Sequence, residues 1–197
     1  MIDKFKQALD VIGHELTHGV TELEAALSYS YESGALNESV SDVFGSLVKQ
    51  YALKQSAADA DWLIGAGLFT KKVKGKALRS MKAPGTAYDD PILGRDPQPD
   101  NYAAFVRTQS DNGGVHINSG IPNRAFYLTA AAIGGNAWDA AGRIWYETLR
   151  DRDLRANATF LQFAMLTERN AIRLFGRGSS EATAVRNAWA TVGVAQD

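Results

Sequence analysis

Residues 11–23 read VIGHELTHGVTEL, and the placing of His14 and His18 in that stretch organises the rest of the chain. Phe5, Ala8, Leu9, Ile12, Leu16, Val20 and Leu23 recur at helical spacing from about Lys4 to Glu24, which predicts a helix through the stretch. Residues four apart on a helix share a face, so both imidazoles can reach one metal ion. Such an ion still needs a third protein ligand, and an open position if it is to do chemistry. Glu15 projects to the same side, where its carboxylate can take a proton from water. Without a metal, the same residues read as two surface histidines beside a structural glutamate. Gly13 and Gly19 lie inside the helix, where glycine costs about 1 kcal/mol relative to alanine. Each is therefore either tolerated or a mark of close approach by another backbone or a substrate.

Residues 25–33 are small and polar around Tyr29 and Tyr31, and predict a loop ending at Ser33-Gly34. A second helix is expected in ALNESVSDVFGSLVKQYAL, residues 35–53. Its apolar set is Leu36, Val40, Val43, Phe44, Leu47, Val48 and Tyr51, with Glu38 and Asp42 on another face. Two carboxylates one turn apart repel unless a cation is near. The pair is thus either a solvated acidic edge or the source of a third metal ligand, for which Glu38 is the candidate. Residues 71–118 hold Pro84, Pro91, Pro97 and Pro99 and show no sustained period, the mark of a long and often functional loop. It closes in DNGGVHINSGIP, residues 111–122, where Gly113-Gly114 permits a tight turn before His116 and Pro122 suits the first turn of a new helix. Helical patterns follow near 121–133, 137–150, 158–175 and 180–192. Ile144, Trp145, Leu149, Phe160, Phe163, Leu166, Ile172, Leu174, Val185, Trp189 and Val192 read as their core.

The 197 residues are 45% hydrophobic and 22% charged, which suits one globular domain over residues 1–197. A formal charge of −1 gives no electrostatic reason to expect nucleic acid or an anionic membrane as partner. No apolar run is long enough to span a bilayer. Cysteine is absent, so any zinc must be held by histidine and carboxylate. The opening MIDKFKQALD lacks the apolar core of a signal peptide, which leaves a cytoplasmic location or a targeting segment further upstream.

Four motifs taken together carry a resemblance. HELTH at 14–18, ESGALNESVSD at 32–42, ALRSM at 77–81 and DNGGVHINSG at 111–120 resemble, in order and spacing, the thermolysin family of bacterial zinc metallopeptidases. DWLIGAGLFT, MKAPGTAYDDPILG and SGIPNRAFYL are similar to its protealysin-like branch. The resemblance covers essentially the whole chain but only the C-terminal half of the family's fold. It implies a mainly α-helical C-terminal domain, with zinc-binding helix at 1–24, third-ligand helix within 25–53, active-site loop region at 71–118 and helical bundle at 119–197. The family's β-rich N-terminal domain, which forms the other wall of the cleft, is expected to be missing, because the chain begins about three helical turns before His14.

Carried over by position, the resemblance makes His14, His18 and Glu38 zinc ligands and Glu15 the general base. Tyr29 and His116 become oxyanion donors, with Asp111 orienting His116. Asp42 and Asn37 would hold His14 and His18, Arg79 would bind the substrate backbone, and Leu78 and Val11 would line an apolar pocket. Taken singly, Asp42, Asn37 and Arg79 are also explained by capping or surface pairing. The chain departs from the family's paired calcium site: Asp10 and Asp61 match, but Lys49, Leu63 and Ala66 replace carboxylates, so that site is expected to be absent. The implied protein is a secreted zinc endopeptidase that cuts peptides or proteins on the amino side of bulky apolar residues. Two alternatives remain. One is a truncated zinc-binding helical module, weakly active or inactive, that works with a partner. The other is an aminopeptidase, against which the spacing to Glu38 and the DNGGVH stretch argue.

Overall fold

The structure, a computed structural model, describes residues 8–194. Helices α1 (Leu9–Glu24) and α2 (Tyr31–Leu53) run antiparallel, since Asp10 lies beside Lys49, Gly13 beside Gly45, His14 beside Asp42 and His18 beside Asn37. Two glycines permit the contact. A Cβ on Gly13 would stand 3.0 Å from the Cα of Gly45, and one on Gly45 only 2.2 Å from the carbonyl oxygen of Asp10. Any larger residue at the crossing would force the helices apart. Gly19 faces open space, with nothing among the described residues within 4 Å of such a Cβ. Of the two glycines, only Gly13 marks a close approach.

The face that α1 buries is its polar one: Asp10, Val11, Gly13, His14, Thr17 and Thr21. Leu9, Ile12, Leu16, Val20 and Leu23 form an exposed stripe, with Leu16 70% and Leu23 88% accessible. The predicted start of this helix near Lys4, with Ile2 and Phe5, lies outside the described residues. Helix α2 is buried around most of its circumference and begins at Tyr31, so Ser33 and Gly34 belong to its first turn and not to a loop. The Ser33 hydroxyl donates to the carbonyls of Ser28 and Ser30, both at 2.8 Å, which favours the turn. Gly34 is needed there for packing, because its Cβ would meet a Val115 methyl at 2.5 Å. Val48 and Tyr51, members of its periodic apolar set, are exposed.

Residues 63–118 are less irregular than their sequence suggests. β1 (Leu63–Ile64) pairs antiparallel with β2 (Arg79–Ser80), and β3 (Asp89–Asp90) with β4 (Gly94–Arg95). A 3-10 turn (Tyr102–Ala104) and α3 (Asp111–Asn118) follow. Two-residue strands are too short to impose a period, which is why the sequence reads as loop. Behind them, α4 (Gly120–Ile133), α5 (Ala140–Leu149), α6 (Phe160–Phe175) and α7 (Ser180–Thr191) complete the helical body. Trp145, Phe163 and Trp189 meet in its core, the two indoles stacked at 6.3 Å, while Ile172 and Leu174 are only partly buried. A reciprocal cap between Thr159 and Gln162 starts α6.

The crossing predicts opposite outcomes for two equivalent substitutions. Gly45→Ala should lower stability by about 1–3 kcal/mol through overpacking. Gly19→Ala, with free space around it, should raise stability by up to about 1 kcal/mol. Urea unfolding of both variants checks this, and a Gly45→Ala protein of unaltered stability would show that the helices can separate at little cost.

Candidate metal centre

The antiparallel pair turns His14 and His18 of α1 onto Glu38 of α2. The two Nε2 atoms lie 3.1 Å apart, and each is 3.5 Å from a Glu38 oxygen. Two ligands about 2.0–2.2 Å from one tetrahedral centre stand about 3.3–3.6 Å apart, so the donor set fits a zinc ion. His14 and Glu38 are buried and His18 half-buried, leaving one side of the cluster open.

Each imidazole is fixed through its other nitrogen, as metal-binding histidines generally require. His14 Nδ1 lies 2.8 Å from Asp42 Oδ1, and His18 Nδ1 lies 2.8 Å from Asn37 Oδ1 and 3.2 Å from the Ser41 hydroxyl. The Asn37 amide nitrogen donates to the Leu27 carbonyl at 3.3 Å, so its oxygen is the atom left facing His18. Asp42 is wholly buried. It accepts 2.7 Å bonds from Arg79 Nε and Nη2 as well as a 2.8 Å bond from the Asn123 amide. Burial alone would raise the Asp42 pKa, but the Arg79 charge and the hydrogen bonds from His14 and Arg79 hold it well below the usual carboxylate range.

Helix α3 brings the second group of side chains. Asp111, Asn112, Gly113 and Gly114 all have left-handed backbones (φ 54, 49, 89 and 81°), a run that Asp, Asn and Gly adopt at least cost. The run folds the Asp111 carboxylate back over the next turn. One oxygen accepts from the His116 backbone N–H at 2.9 Å and the other lies 2.5 Å from His116 Nδ1. Gly113 also leaves room for the Tyr31 ring, which its Cβ would meet at 2.5 Å. His116 Nε2 then stands 3.2 Å from the Tyr29 hydroxyl and 3.4 Å from Glu38 Oε1, and Tyr29 donates to the same Glu38 oxygen. Burial of the phenol end, then the hydrogen bond and charge of Glu38, raise the Tyr29 pKa well above an ordinary phenol.

Glu15, one residue after His14, is exposed and makes no hydrogen bond or ion pair among the described residues. Arg79 reaches the cluster from β2. Leu78 beside it is partly buried against the core, and Val11 is only 5% exposed, so it offers the open face little surface. Cavities of about 910 and 640 Å³ lie elsewhere, on α2–α5 and on α6, and no residue of the cluster lines either. Among the described residues the cluster is an open shelf, with Tyr29 exposed and His18 half-buried. The sequence reading missed Ser41 and Asn123. Ser41 follows Asn37 by one helical turn and was findable, whereas Asn123 is 81 residues from Asp42 and had no local signal.

Lys49 accounts for a second cluster beside the helix crossing. Its ammonium lies 3.3 Å from Asp10 Oδ2, 2.9 and 3.0 Å from the Asp61 oxygens, and 3.1 Å from the Leu63 carbonyl. The lysine side chain thus sits among the two carboxylates and the carbonyl, and ties α1, α2 and β1 together.

A family model described as the alpha-helical domain of thermolysin metallopeptidases matches residues 25–194. The chain belongs to the thermolysin family of metallopeptidases. An extracellular metalloprotease of Pectobacterium carotovorum subsp. carotovorum is 57% identical to it over 194 residues, which are 98% of this chain and 55% of that protein. A thermolysin of Alicyclobacillus acidocaldarius subsp. acidocaldarius is 40% identical over 197 residues, covering 96% of this chain and 34% of its own length. Among solved structures, the precursor of protealysin, a metalloproteinase from Serratia proteamaculans, matches with a TM-score of 0.95 at 60% identity, over 97% of this chain and 59% of that one. The chain spans about half the length of the first two curated relatives it matches, and its fold is the family's α-helical C-terminal domain.

The Lys49 cluster predicts the response to calcium. Millimolar calcium should leave the melting temperature unchanged, because stabilisation by an ion requires a site in the native state. Lys49→Ala should lower stability by about 1–3 kcal/mol, since it leaves the buried Asp10 carboxylate with only the Val11 and Gly65 backbone N–H groups as donors. Scanning calorimetry with calcium and with a chelator reads both effects, and a rise of many degrees for the unaltered protein would show that calcium displaces the lysine.

Proposed function

We propose that the protein is the catalytic half of a zinc metalloendopeptidase that hydrolyses peptide bonds preceding bulky apolar residues. The convergence of His14 Nε2, His18 Nε2 and the Glu38 carboxylate on one small volume, each imidazole held from behind, is the observation that carries this reading. A zinc ion held there would supply Lewis acidity, polarising a peptide carbonyl and activating water.

The remaining chemistry belongs to the chain. Glu15 is free to take a proton from the attacking water and return it to the leaving amine, the work of a general base that becomes a general acid. Tyr29 and His116 point at the same edge of the cluster and serve the oxyanion that develops on the carbonyl. Asp111 holds His116 from behind through Nδ1 and so turns its Nε2 toward that edge. Arg79 has Nε and Nη2 committed to Asp42, which leaves Nη1 to meet a substrate carbonyl. Leu78, partly buried beside Arg79, supplies the apolar contacts that favour a bulky side chain after the scissile bond, and buried Val11 adds little surface to them.

The exposed stripe of α1 supports a partner as part of this reading. Five apolar residues on one helical face are a surface that a second layer normally covers. The relatives are about twice as long as this chain, and the family's β-rich N-terminal domain is the layer we assign to it. The names of the relatives support an extracellular protein. The alternative, a zinc-binding module with little activity of its own, is favoured by that same open stripe and shelf-like site.

Three outcomes follow. Zinc-loaded protein should hold about one ion, lost in Glu38→Ala but kept in Glu15→Ala. In the protein joined to an N-terminal domain, Glu15→Ala should lose about 10²–10⁴-fold in turnover. Elemental analysis and peptide hydrolysis read these, and a Glu15→Ala enzyme with full activity removes Glu15 from the mechanism. Joining the N-terminal domain should itself raise kcat/KM by about 100-fold or more, since a poorly positioned substrate forfeits that much. Equal efficiency of the two proteins would instead mark a self-sufficient enzyme.

A further inference from the structure

We propose that Asn123 is a positioning residue of the zinc site, whose amide completes the hydrogen bonding of Asp42 and so holds His14 and Arg79 together in working orientation. The proposal rests on the zinc-peptidase reading above. Asn123 lies near the start of α4, is fully buried, and donates from Nδ2 to Asp42 Oδ2 at 2.8 Å. Arg79 Nε shares that oxygen at 2.7 Å, while Asp42 Oδ1 takes Arg79 Nη2 at 2.7 Å and His14 Nδ1 at 2.8 Å. A carboxylate has about four acceptor positions, and here all are filled. His14 is left one arrangement, with Nδ1 as donor and the Nε2 lone pair turned to His18 and Glu38.

The amide is costly to the fold, which argues that it is kept for the site. The Asn123 amide faces Asp42 with its nitrogen, beside the donors that Arg79 and His14 already turn to the same carboxylate. That leaves Asn123 Oδ1 buried with no hydrogen-bond partner among the described residues. An orphaned buried carbonyl destabilises a protein, and a leucine of similar size would avoid it. What leucine cannot supply is the second hold on Oδ2. With Arg79 alone on that oxygen, the carboxylate can follow the guanidinium as it moves, and the bond to His14 moves with it. Groups that orient metal-bound imidazoles in this way typically change metal affinity by about 10–100-fold when removed.

The test is Asn123→Leu, read in three ways. In the metal-free protein, nitrogen NMR of the histidine rings should find His14 as the Nδ1–H tautomer originally and as a mixture in the variant. Competition with a chelator should show zinc affinity reduced by about 10–100-fold. The melting temperature should be equal or higher. Unchanged ring signals with unchanged zinc affinity overturn the proposal, as does a loss of affinity matched by a lower melting temperature, which would make Asn123 a structural residue only. Should Asn123→Leu not fold, Asn123→Ala removes the amide without adding bulk and carries the same expectations for ring signals and affinity. If the unaltered protein binds no zinc, the zinc reading fails, while the His14 tautomer still decides whether Asn123 acts through Asp42.

Discussion

The close crossing of α1 and α2 at Gly13 and Gly45 is the constraint on which the rest depends. Helices this near, running antiparallel, set residue 14 against residue 42 and residue 18 against residue 37, so the three candidate ligands and the side chains that touch their imidazoles from behind come from one helix pair. The same crossing explains an arrangement that hydrophobicity alone would reject. α1 buries histidine, aspartate and threonine and exposes its leucines, because Asp10, His14 and His18 find charged or polar partners on α2. A site of buried donors and acceptors is tolerable when nearly all of them are paired, as they are around Asp42, Asn37 and Lys49.

Charge reinforces this geometry. Asp42 is buried against a guanidinium and an imidazole, and such pairs seldom add net stability because desolvation consumes most of the attraction. Their presence here is better explained by orientation, since one carboxylate connects a candidate metal ligand to the guanidinium proposed to meet substrate. Backbone strain at Asp111 and Asn112 has the same character. Two non-glycine residues in left-handed conformation return a carboxylate to His116, and conformations of this sort gather where function requires a fixed direction.

Much of this was legible in the sequence, and the limits have physical causes. The positions of His14, His18 and Glu38 follow from helical spacing and motif order, and the structure brings them within reach of one ion. The four closing helices could be read to within a few residues because their apolar periods are long. Periodicity identified α1 as a helix but not which of its sides faces inward, since an apolar stripe awaiting a partner looks like a core face. The start of α2 was misread because serine and glycine are turn residues in isolation, and here one makes local hydrogen bonds while the other makes room for Val115. Short strands at 63–95 have no period to detect. Asn123 reports on a residue 81 positions away, a distance across which no local pattern carries information.

The central claim is that the helix pair presents a ready-made zinc site. Crystallography of the protein without metal and after zinc loading, with anomalous data at the zinc edge, tests it most directly. The account predicts one strong anomalous peak within bonding distance of His14 Nε2, His18 Nε2 and Glu38, with the α1–α2 crossing at Gly13 and Gly45 unmoved between the two states. A peak bound elsewhere, or helices that must shift against each other before the three side chains can share the ion, would contradict it.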